Sequence, residues 1–106
     1  MPFCPVADLA AQWVLLDDRI AADWLPPDDP ALSLAADERR LAIETSVMHL
    51  PIASDAGAAF VAWLLALHVS LAEDDDEPAE LRDRHRQAAL AGARNLTRYL
   101  ATRAMM

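Results

Sequence analysis

The chain has 106 residues, 55 % of them hydrophobic, and a formal net charge of −8. That is enough apolar side chain for one modest core and too much for a disordered segment. A lone cysteine excludes an intrachain disulfide framework. One domain spanning residues 1–106 is expected.

Twenty-three alanines stand against five valines, three isoleucines, three threonines and two glycines. Alanine, leucine and arginine favour helix, and strands would need more β-branched and aromatic residues. The expected fold is all-α, a small bundle of about four helices completed by self-association or by a partner. All nine basic residues are arginine. A GC-rich coding sequence, as in a bacterium or its phage, gives that composition.

The charge divides at Pro78. Fifteen acidic residues and three arginines precede it, a net of −12; two acidic residues and six arginines follow, a net of +4. A basic C-terminal helix on an acidic body can brace the fold or serve as a docking handle.

The first helix is predicted from about Pro5 to Trp24, with Pro5 in the first turn and Asp8 against the positive helix end. Leu9, Trp13, Leu16, Ile20 and Trp24 fall within roughly 80° of one another at 100° per residue and form a core stripe. Cys4, just before this helix, is expected to be a frayed thiol rather than a nucleophile. The run from Pro26 to Pro30 then makes a stiff acidic connector.

The second helix is expected to begin after Ser33 as N-cap and to end near Leu50, before Pro51. It carries two apolar stripes, Leu34, Leu41 and Met48 on one side and Ala36, Ile43, Val47 and Leu50 nearly opposite. A helix of that kind touches neighbours on both sides.

The third helix starts at Ser54 as N-cap and reaches about Ala72. Residues 56–72 contain no charge. Seventeen residues lie at the bottom of the range for a membrane span, and neither flank carries a basic anchor, so no membrane span is expected. Phe60, Leu64, Leu67 and Leu71 are assigned to the primary stripe. Val61, Trp63, Leu65 and Val69 clothe the remainder and are the candidate partner-binding surface, because a helix apolar all round must be buried all round.

An acidic loop follows, Glu73, Asp74, Asp75, Asp76 and Glu77, and then a last helix from about Ala79 onward. Leu81, His85, Ala88, Gly92, Leu96 and Tyr99 form its expected buried stripe. Gly92 marks a notch for a neighbouring backbone or side chain, with Trp13 or Trp63 as the expected occupant. Arg82, Arg86, Arg94 and Arg98 are its candidate basic surface.

The three histidines lack metal spacing: the residues three before His49, His68 and His85 are Ser46, Leu65 and Arg82 rather than glutamate. His68 and His85 read as core histidines bonded to a carboxylate or carbonyl. The acidic run lacks the glycine and distal glutamate of an EF-hand. No nucleophile elbow or phosphate loop is present. No metal, cofactor or catalytic activity is expected, and direct nucleic-acid binding is not expected. No basic stretch precedes an apolar run at the N-terminus, so no secretory signal is expected and the cytoplasm is the default location.

These features point to a small acidic, non-catalytic protein-binding module, a regulator, adaptor or inhibitor of a larger protein, with a homodimer as one form. The alternative is a phage or mobile-element inhibitor that mimics nucleic acid through its acidic surface. A second alternative is a helical DNA-binding protein using the basic last helix.

Overall fold

The structure is a computed structural model, and it describes residues 4–21 and 30–105. It is 85 % helical, with four α-helices and no strand among the described residues. The helices are α1 (Pro5–Ala21), α2 (Pro30–Ser46), α3 (Asp55–Ala72) and α4 (Ala79–Ala104), with a 3₁₀ turn at Val47–His49 after α2. The expected end of the first helix at Trp24, and the connector before Pro30, lie outside the described residues.

Local chemistry accounts for most of the boundaries. Ser54 is extended, at φ −150° and ψ 158°, and its hydroxyl accepts from the Gly57 N–H at 3.1 Å. That satisfies one of the orphan amides at the start of α3. Pro78 precedes α4 with its φ already fixed, and Arg82 N–H donates to the Pro78 carbonyl at 3.0 Å. The start of α2 departs from expectation: the helix begins at Pro30, so Ser33 lies inside it rather than at its cap. A proline at the first helical position loses no hydrogen bond and is already shaped for the helix. At the other end α2 tightens into the 3₁₀ turn, and Leu50 becomes extended before Pro51.

The core comprises Cys4, Val6, Ile43, Val47, Met48, Val61, Leu64 and Ala88, with Leu9, Trp13, Leu16, Phe60 and Leu96 packed around it. Helix α3 is central, packing along both α1 and α4, while α1 also packs along α2. Its buried residues are Gly57, Ala58, Val61, Leu64 and His68. The primary stripe is therefore rotated from the expected one, and Phe60, Leu67 and Leu71 sit at its margins. By length and composition α3 could cross a bilayer; here α1 and α4 both pack along it.

Polar ties fix how the helices meet. Asn95 Nδ2 on α4 donates to the carbonyls of Met48 (2.7 Å) and Leu50 (3.2 Å), pinning the 3₁₀ turn. The Asp55 carboxylate at the start of α3 takes the Tyr99 hydroxyl and the Arg103 guanidinium from the end of α4. Arg40 on α2 bonds Asp17 on α1 at 3.1 Å.

Two small-residue contacts decide close approaches. A Cβ on Gly57 would stand 3.1 Å from Cys4 Sγ and 3.3 Å from Val6 Cβ, so its absence lets the start of α1 press on α3. Cys4 is thus a buried core residue and not a frayed thiol. Burial pushes its thiol up, but hydrogen bonds from Ser54 and from the backbone at Ala7, Ala53 and Val6 outweigh that and hold it below its ordinary value. At Gly92 the notch is filled by Met48, whose thioether end lies where a Cβ would be. Neither tryptophan occupies it. Trp13 and Trp63 pack edge to face, centroids 5.1 Å apart, beside Phe60.

Candidate functional site

Among the described residues, helix α2 packs on α1, α1 on α3 and α3 on α4, but α2 does not run along α4. The fourth seam of the bundle is left open. It forms a cleft of about 650 Å³, within the range of small-molecule sites. Its apolar walls include Leu41 of α2, Leu71 of α3, and Leu81 and Ala88 of α4. Glu44, Thr45, Asp83, Arg84 and Gln87 add polar groups, and all three histidines border it.

Two of these histidines meet. His68 Nδ1 and His85 Nδ1 are 3.0 Å apart, and His68 Nε2 lies 3.4 Å from the Glu44 carbonyl oxygen. The ring centroids are 5.2 Å apart. The 2.2 Å difference between centroid and nitrogen separations is about two ring radii, so the rings point their nitrogens almost straight at each other. A shared metal would need both lone pairs to converge on a third point about 2.0–2.1 Å from each. The arrangement is that of an N–H···N hydrogen bond. No group of three or more His, Cys, Asp or Glu is gathered for a metal among the described residues.

Burial holds the His68 imidazole below its ordinary pKa; the Glu44 carbonyl pulls the other way, and the nearby His85 adds to the lowering. His68 thus makes the carbonyl contact expected of a core histidine; His85, expected to do the same, is only half-buried and meets His68 instead. The Glu44 carboxylate, also buried, accepts from Trp13 Nε1 at 3.1 Å. That joins the floor of the cleft to the aromatic cluster on α1 and α3.

The four α3 residues assigned to partner binding separate. Val61 is fully buried in the core, because it faces α4 and Gly92, and it cannot be a contact surface. Leu65 is half-buried and packs against the core. Trp63 and Val69 are exposed at 51 % and 41 %. Between them the outward face of α3 is made by Ala59, Ala62, Ala66 and Ser70, all exposed. This face has a tryptophan at one side, small residues along its middle, and no charge. Of the two expected second-helix stripes, Ile43 on α2 and Val47 in the 3₁₀ turn are buried; on the opposite one Met48 is fully buried, while Leu34 and Leu41 are 59 % and 57 % exposed.

The acidic run is a tight turn. Asp76 N–H donates to Asp74 Oδ1 at 3.0 Å, and Glu77 N–H to the Asp74 carbonyl at 3.1 Å. Asp75 lies 3.8 Å from Arg82, so the head of the basic helix answers part of this charge. Glu73, Asp75 and Asp76 are exposed, Asp74 and Glu77 half-buried. Arg86 pairs with Asp83 on its own helix. Arg94 and Arg98 are exposed, flank a shallow depression with Leu90, Ala93, Thr97 and Ala101, and make no ion pair among the described residues.

The sequence reading missed the convergence of His49, His68 and His85 on one cleft. The apolar settings of His68 and His85 were the only local signal, and only the packing of α4 on α3 could bring the two together. Comparison with protein-family models matches none, and comparison with curated proteins and with solved structures returns no significant similarity.

Proposed function

We propose that this chain is a small non-catalytic protein-binding module, a regulator, adaptor or inhibitor that docks another helix onto the outward face of α3. The observation that carries the reading is the exposed, uncharged face made by Ala59, Ala62, Trp63, Ala66, Val69 and Ser70. Hydrophobic residues exposed singly are ordinary, but a helix face several turns long without a charge marks an interaction site. Its small residues allow an approaching helix to come within the 8–10 Å of close packing. Trp63 is held against Trp13 and Phe60, which makes it a rigid aromatic anchor of the kind that dominates interface energetics.

The test pairs sedimentation of the purified chain with capture of partners by the chain and by its Trp63→Glu, Val69→Glu variant. The expected result is an assembly heavier than the 11.6 kDa chain, either a dimer or a complex with one protein, that the variant loses while its circular dichroism stays helical. A monomer whose captured proteins are the same for both forms would end the reading.

A further inference from the structure

The hydrogen-bond polarity around the histidine pair specifies what the open cleft can hold. The Glu44 backbone oxygen can only accept, so the neutral His68 tautomer that bonds it across 3.4 Å is the one with its proton on Nε2. The contact is long, but the opposite tautomer would set a lone pair against the carbonyl oxygen. Neutral His68 therefore presents an accepting Nδ1, and the hydrogen at the 3.0 Å contact belongs to His85 Nδ1. It follows that neutral His85 keeps its free lone pair on Nε2. That nitrogen has no partner among the described residues, and its ring lines the cleft.

We infer that the cleft between α2 and α4 is a binding site for a small uncharged amphipathic molecule whose hydroxyl or N–H donates to His85 Nε2 while its apolar body lies between Leu41, Leu71 and Leu81. Size and lining agree: a volume of about 650 Å³ and mainly apolar walls suit one small ligand held by a few oriented polar groups. A half-buried acceptor in such surroundings gains from a donor that excludes water. An acceptor-only head such as a carboxylate meets a lone pair there. The Asp83 and Glu44 carboxylates on the same cleft also oppose it, leaving Arg84 and Gln87 at the rim as its donors.

Phenol, anisole and benzoate share one ring and differ in the head group, so they separate the possibilities as probes. Long-range proton–nitrogen NMR of the histidine rings at pH 7.5 should first show His85 protonated at Nδ1 and bare at Nε2. Phenol titration should then move the His85 Nε2 signal. Phenol should bind between about twofold and tenfold tighter than anisole, the worth of one neutral hydrogen bond, and tighter than benzoate. His85→Phe should abolish the difference between phenol and anisole. A proton on Nε2 in the free protein, benzoate binding as tightly as phenol, equal binding of phenol and anisole, or no response in the cleft would each overturn the inference. So would phenol binding that vanishes as the protein self-associates, because a second copy would then be the occupant.

Discussion

Adding one methyl group at Gly92 tests the packing between α4 and the 3₁₀ turn. In an open helix position Gly→Ala gains about 1 kcal/mol of propensity. Here the new Cβ would overlap the terminal methyl of Met48 and press on its sulfur, while Val61 Cγ1 stays at an ordinary 3.5 Å. Met48 is fully buried, so its flexible end has no solvent to retreat into. Overpacking of this kind costs about 1–3 kcal/mol, so Gly92→Ala should range from neutral to about 2 kcal/mol destabilising. In a Met48→Val chain the thioether end is gone, and the same Gly92→Ala change should recover its helix gain and stabilise by about 1 kcal/mol. Urea unfolding of the four chains gives the coupling, expected at about 1–3 kcal/mol, with unchanged m-values marking an unaltered unfolded state. If Gly92→Ala has the same effect in both backgrounds within about 0.5 kcal/mol, Met48 does not fill the notch and the packing assigned to α4 is wrong.

Two further outcomes follow from the charged and titratable groups. The folded His68 imidazole is held below the ordinary value of 6.5, so the unfolded chain takes up that proton first as the pH falls. Stability from this group is fully present above about pH 6.5, is lost progressively below it, and levels off beneath the folded value. The urea midpoint should therefore drop between pH 7.5 and 5.5, and His68→Asn should flatten the profile; a wild-type midpoint constant over that window would refute it. Reversing Asp74, Asp75 and Asp76 to lysine should leave partner binding through α3 intact, measured as the same captured mass at low and moderate salt. Binding abolished by the reversal would favour the acidic-surface mode of action instead.

Where a local residue decides an element, the sequence discloses it well. Ser54 caps α3 and Pro78 starts α4 because each acts within one turn of itself. The start of α2 was misplaced because a serine cap and a first-turn proline compete over the same few residues, and periodicity does not arbitrate between them. The rotation of the α3 stripe has another cause. In a helix apolar on every side, hydrophobicity carries no direction, and the buried face is chosen by what the neighbours can approach. Here that face is Gly57, Val61, Leu64 and His68, where the small Gly57 and Gly92 admit Cys4 and Met48. Cys4 lies before α1 and Met48 in the 3₁₀ turn after α2, so neither belongs to an α-helix whose spacing fixes its direction.

The two candidate surfaces differ in the physical information they hold, and that sets what each can recognise. The outward face of α3 offers shape and apolar area with almost no hydrogen-bonding group, since Ser70 and the indole N–H of Trp63 are its only polar side-chain atoms. Such a face selects by packing, and favours a partner that can lay a long complementary ridge along it. The cleft instead carries the polarity inferred above, relayed from the Glu44 carbonyl through His68 to His85. A site of that kind discriminates donor from acceptor, because a mismatched head group leaves a half-buried atom unpaired. His68 also connects the two surfaces within one helix. It faces the cleft from the buried side of α3, while Ala66 and Val69 face outward close by in sequence. A ligand that orders the histidine pair would thus bear on the same helix that a docking partner grips, whereas a partner on the outward face need touch no atom of the cleft.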